Sequence, residues 1–117
     1  MAKGRRLDMG ELDMHRHVEV SDSHGVVAAA DVTISDEPGH TARASLRAAA
    51  GHLSPGVRAR LVDAVLGLPE LHDGARLQAA FPLGDTETLS RLRERCTDVT
   101  THPAGVTVLL EATIGPG

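Results

Sequence analysis

The chain of 117 residues reads as a single α+β domain of element order ββααβαββ, a five-stranded mixed sheet with helices packed on one face. Three observations predict this. Period-two runs stand towards both ends of the chain, a long stretch with helical spacing stands between them, and the changes of period fall at clusters of Pro, Gly, Ser and Asp. The length suits one hydrophobic core and is too short for two.

Residues 1–14 mix Arg5 and Arg6 with Asp8, Glu11 and Asp13 and hold no sustained period, so a flexible tail is expected ahead of a domain over 15–115. Met9 and Met14 are alternative starts. The basic residues near the N-terminus are followed by no apolar segment, which argues against a secretory signal. From His15 the pattern alternates, and HRHVEV, the connector SDSHG and VVAAADVTI predict a hairpin. Pairing Val20 with Val26 puts Val18, Val20, Val26, Ala28, Ala30, Val32 and Ile34 on the core face. His15, His17, Glu19, Val27, Ala29, Asp31 and Thr33 then share the outer face.

After the turn-rich SDEPGH, the central stretch runs TARASLRAAAGHLSPGVRARLVDAVLGL. Ala42, Leu46, Ala49 and Leu53 recur at helical spacing and predict a first helix over 41–53, with Arg43 and Arg47 one turn apart beside the stripe. Ser54 and Pro55 signal a restart. The second helix carries Val57, Leu61, Ala64, Val65 and Leu68, and Val62 and Leu66 widen its stripe beyond what one sheet face would cover. Gly67 and Pro69 mark its stop.

RLQAAFPL, from Arg76, predicts a third strand with Leu77, Ala79 and Phe81 inward. Asp85 is the expected N-cap of a helix over 86–96, with Leu89, Leu92 and Cys96 on its apolar side and Glu87 paired with Arg91 one turn on. A second hairpin closes the chain: VTTH, a turn at 103–105, then VTVLLEATI with Val106, Val108, Leu110 and Ala112 on the core face and Leu109 pointing away.

Composition narrows the function classes. The net charge is −4 and the aromatics amount to Phe81 alone, so the basic excess and stacking platforms of a nucleic-acid binder are missing. No apolar run approaches the roughly 20 residues of a membrane helix. Cys96 is the single cysteine, which rules out an intrachain disulfide and fits a small buried hydrophobe. These features together predict a cytoplasmic protein. A core of Ala, Val and Leu with one Phe must pack its layers closely, leaving little room for a large internal cofactor, and none is expected.

Three surfaces could carry chemistry. His15 and His17, two apart on a strand, project from one side, and with Asp31 opposite they could chelate a divalent metal; the competing reading is a solvated outer face. Arg43 and Arg47, joined by Arg58 and Arg60 if the two central helices fold back, could hold a phosphate or carboxylate, against the alternative of a charged helix surface. No phosphate-cradling glycine loop, dinucleotide fingerprint or nucleophile elbow occurs. The third surface is the apolar surplus at Leu66 and Leu109, which favours burial against a second copy or another protein.

With no catalytic signature, the sequence leans towards a non-catalytic interaction or regulatory module acting as a homo-oligomer. The alternative is a metal- or small-ligand-binding protein, or a modest enzyme, using the outward face of the first hairpin.

Overall fold

In a computed structural model that describes residues 14–35, 41–49 and 53–115, the chain forms six strands and two helices among those residues. They are β1 (Met14–Asp22), β2 (Gly25–Ile34), β3 (Thr41–Ala48), α1 (Val57–Leu66), β4 (Arg76–Pro82), α2 (Thr86–Arg95), β5 (Cys96–Ala104) and β6 (Thr107–Ile114). The strands make one mixed sheet in the order β1-β2-β3-β4-β6-β5. Only the β3–β4 pair is parallel, joined through α1; the other four pairs are antiparallel.

The α+β class stands, with a correction to its middle. The element order is βββαβαββ, and the sheet has six strands rather than five, because 41–48 is β3 and not a helix. TARASLRA satisfies both periods: Ala42 and Leu46 repeat at a helical interval of four, yet Ala42, Ala44 and Leu46 also alternate with Arg43, Ser45 and Arg47. Tertiary pairing decides between them. β3 lies between β2 and β4 and hydrogen-bonds to both, which outweighs the weak helical preference of a short segment. Met14, expected in the tail, is the first residue of β1. The rest of that tail, residues 36–40 of the expected turn and residues 50–52 of the expected first helix lie outside the described residues.

The first hairpin has the expected faces in a different register. Val20 pairs with Ala28, two residues from the expected partner, and an even slip keeps the inward and outward sets as far as Ala28; Val26, expected inward, pairs with Ser21 past a register shift and is 50% exposed. The core face carries Val20, Ala28, Ala30, Val32, Ile34, Ala42, Ala44, Leu46, Leu77, Ala79, Phe81, Leu110, Ala112 and Ile114, all buried. Both helices lie on that face. α1 contributes Val57, Leu61, Val62, Val65 and Leu66, and α2 contributes Leu92 and the hydroxyl-bearing Thr88.

Helix ends follow local chemistry. Asp85 caps α2 as expected, its carboxylate accepting from the Thr88 N–H at 3.1 Å and the Thr88 hydroxyl at 2.7 Å. At α1 the cap is Gly56, held at φ 89°, where Ser54 was expected. Gly67 ends α1 at φ −86°, ψ 0°, so the stop falls where expected but without the left-handed turn.

The two helices are clamped together by charge. Arg91 forks onto the two oxygens of Asp63 at 2.8 and 2.9 Å, and Arg95 reaches Asp63 at 2.7 Å. This replaces the expected Glu87–Arg91 pair: Arg91 turns to Asp63 and Glu94, while the Glu87 carboxylate accepts the Gly56 N–H at 2.7 Å. The Arg91 guanidinium, and then that of Arg95, hold the Asp63 carboxyl below its ordinary range. Among the described residues no helix is long and apolar enough to cross a membrane.

Leu66, expected on a surface between copies, is 6% exposed and belongs to this chain's own core, whereas Leu109 is 37% exposed on the opposite side of the sheet. Leu66→Ala is expected to cost about 3 kcal/mol in urea unfolding, and Leu109→Ala about 1 kcal/mol or less. Equal losses at the two positions would contradict this placement.

Candidate functional site

The sheet face turned away from the helices carries the polar side chains, and the pairing register arranges them in rows. One row across the strands runs His17, Asp31, Ser45, Ala80, Leu109, His102. Beside it runs His15, Thr33, Arg43, Gln78, Glu111, Thr100. A cavity of about 480 Å³ opens over their central part, lined by Asp31, Thr33, Arg43, Gln78, His102 and Glu111 around a floor that includes Ser45, Ala80 and Leu109.

The cavity sits where the sheet comes apart. The parallel β3–β4 ladder ends at the pair Ser45↔Ala80, although β3 continues to Ala48 and β4 to Pro82. Beyond that pair the two strands hydrogen-bond only to their outer neighbours, β2 and β6. A second cavity of about 290 Å³, lined by Ser45, Leu46, Ala80, Phe81, Pro82, Val106 and Thr107, fills the divergence and shares Ser45 and Ala80 with the first. The two adjoin at those residues, at the carboxyl ends of the parallel strands, the end at which open sheets with crossover helices bind ligands.

A bulge brings His102 into this site. Cys96 pairs with Ile114 on the core side, and continued alternation from there would turn His102 inward as well. The register shifts between Thr97 and Thr100, where Asp98 adopts φ 54°, so His102 pairs with Leu109 on the outer face. His102 carries no hydrogen bond or ion pair to another described residue, unlike His15, His17 and His24.

The expected metal residues divide into two sets. His17 lies between Asp31, at 2.7 Å from Nδ1, and Glu19, at 2.9 Å from Nε2, so both ring nitrogens face carboxylates. His15 instead meets the Thr33 hydroxyl at 3.2 Å. No group of three or more potential ligands with metal-binding arrangement occurs among the described residues. Asp31 is also held by Arg47 at 2.6 Å, so His17 and Arg47 flank one carboxylate.

The expected basic cluster does not gather. Arg43 and Arg47 stand on the outer face of β3, about 13 Å apart along a strand at its usual rise. Arg58 lies on α1 across the sheet, paired with Asp85 at 3.3 Å. Arg47 is engaged by Asp31, whereas Arg43 lines the cavity with no described partner. Cys96, placed on a helix by the sequence reading, is the first residue of β5; burial pushes its thiol pKa up, away from thiolate chemistry.

These features define an open-faced mixed α+β sheet with a ligand-sized cleft at the parting of its two parallel strands. A crystal structure described as a "putative acetyltransferase" from Sphaerobacter thermophilus DSM 20745 shares this fold, with a TM-score of 0.61 over 99% of this chain and 77% of that chain at 14% identity. No family model and no curated protein matches the chain. The structural likeness corrects the expectation of a non-catalytic interaction module, because the fold is shared with a protein described as an enzyme.

The Asp31 carboxylate, followed by Glu19, raises the His17 pKa above its ordinary 6.5, and His17 with Arg47 lowers that of Asp31. A raised histidine pKa means that folding favours the charged ring. The gain is complete below 6.5 and is lost as pH rises through the elevated value. Titration of the His17 ring by NMR is therefore expected to give a midpoint above 6.5, which Asp31→Asn returns towards 6.5. A wild-type midpoint at or below that value would show that the carboxylates do not hold the ring.

Proposed function

We propose that this chain transfers an acetyl group from a thioester donor to an amine acceptor, with the reacting atoms meeting at Ser45 and Ala80. The observation that carries the reading is the cleft: two cavities share the residues of the last rung of the only parallel ladder among the described strands. The shared fold with a protein described as an acetyltransferase supports the same reaction class. The runner-up reading of the sequence, a ligand site on the outer face of the first hairpin, merges with it, since Asp31 and Thr33 of that hairpin line the cavity.

In this reading the acceptor lies on the outer face and the acetyl group enters through the parting of β3 and β4. The amine nitrogen attacks the acetyl carbonyl carbon. A C–N bond forms, the C–S bond breaks with its electron pair on sulfur, and the proton lost by nitrogen passes to a base and on to the departing thiolate or water. His102 is suited to that role, being a cavity-lining imidazole that no described residue engages. Backbone groups at the end of the β3–β4 ladder, free of strand partners on that side, can donate to the carbonyl oxygen as charge develops there.

The test is to incubate the protein with acetyl-coenzyme A and a panel of primary amines, following free thiol and acetylated product. Amine-dependent thiol release is expected, reduced about a hundredfold or more in His102→Ala with donor affinity retained. Absence of both donor binding and turnover would overturn the reading. Full activity in His102→Ala would remove that residue from the chemistry.

A further inference from the structure

The charges around the cavity cancel one another except at one position. Asp31 is neutralised from its far side by Arg47 at 2.6 Å and by His17 at 2.7 Å. Glu111 faces Arg76 at 3.7 Å, and Arg76 also donates to the Thr113 hydroxyl at 2.9 Å. Arg43 has no such counterpart among the described residues. Its neighbour across the parallel ladder is Gln78, whose amide also lacks a described partner, and both line the cavity.

A guanidinium offers a planar fork of N–H donors, and a carboxamide beside it adds another donor, an arrangement matched to a planar, singly charged oxyanion. With Asp31 and Glu111 already paired, a dianionic phosphate would bring one more negative charge than the single uncompensated guanidinium can match. A carboxylate meets a matched charge. Glu111, next to Gln78 in the same row, offers an acceptor to an ammonium or amine on the same ligand.

We infer that the acceptor is a small amine that also carries a carboxylate, an amino-acid-like zwitterion, whose carboxylate is held by Arg43 and Gln78 beside the cavity floor. This rests on the acetyl-transfer reading for its reaction, and it narrows the earlier pairing of Arg43 with Arg47: Arg43 binds the ligand while Arg47 serves Asp31.

The experiment has two arms. In the first, acetyl-coenzyme A turnover is measured with L-amino acids and with their carboxamides, for wild type, Arg43→Gln and Arg43→Lys. The wild type is expected to prefer carboxylates by about tenfold or more in kcat/KM, chiefly through KM. Arg43→Gln is expected to erase the preference while still acetylating carboxamides, and Arg43→Lys to restore it only in part.

The second arm needs no turnover. The product-like probes N-acetylglycine and N-acetylglycinamide are titrated while the Arg43 Nε–H and Gln78 amide NMR signals are followed. Saturable shifts with the carboxylate and none with the amide are expected. Equal response to both probes, or to neither, would overturn the carboxylate site. Amine acetylation without carboxylate preference would overturn it while leaving acetyl transfer intact. Carboxylate-specific shifts with no thiol release from any amine would do the reverse, supporting the site and sinking the reaction.

Discussion

The structure depends on a parallel ladder of five residue pairs between β3 and β4, closing at Ser45↔Ala80. It joins an antiparallel meander, β1-β2-β3, to an antiparallel trio, β4-β6-β5, and without it the chain would form two small sheets sharing a helix pair. Adjacent strands in a sheet twist, and a pair anchored at one end by a crossover helix can part at the other. Here each strand keeps its outer partner past the parting, so the cost in hydrogen bonds falls on the inner edges alone. The cleft is thus a consequence of how two half-sheets meet. It needs no long loop to build it.

Small side chains determine which side of the sheet is left open. Ala28, Ala30, Ala42, Ala44, Ala79 and Ala112 line the helix-facing surface, and α1 can approach closely with Val57, Leu61, Val62 and Val65. A layer packed in this way has no room for a ligand, and Thr88, satisfied by Asp85, is its one buried polar residue among those described. Polar chemistry is therefore displaced to the outer face, where side chains at alternate positions stand in rows about one strand spacing apart.

Much of this was legible in the sequence and some was not. The faces of β1 and β2 away from their turn, the inward set of β4, the Asp85 cap and the outward turn of Leu109 follow from alternation and local chemistry, which the fold leaves intact. TARASLRA was misread because alanine and leucine suit either period, and only its two strand neighbours settle the choice. The parting of β3 from β4 had no sequence signal, since it depends on pairing between segments about 35 residues apart in the chain. His17 beside Asp31 was within reach of sequence reasoning, because an even slip of register cannot change their faces.

The entry of His102 into the site shows how a local irregularity can decide the chemistry of a face. Read by strict alternation from the buried Cys96, His102 belongs to the core side, and nothing in CTDVTTHPA marks a bulge. The extra residue near Asp98 moves every later residue of β5 to the other face, so Thr101 opposes the buried Leu110 and His102 opposes Leu109. The cavity gains by that shift an imidazole with no partner among the described residues, while His17, at the far end of the same row, is tied up by two carboxylates. The row therefore has a fixed, charge-compensated end on β1 and β2 and a chemically available end on β5. Between them Ser45 and Ala80 leave the floor low, because side chains this small cannot close the opening where the two strands separate.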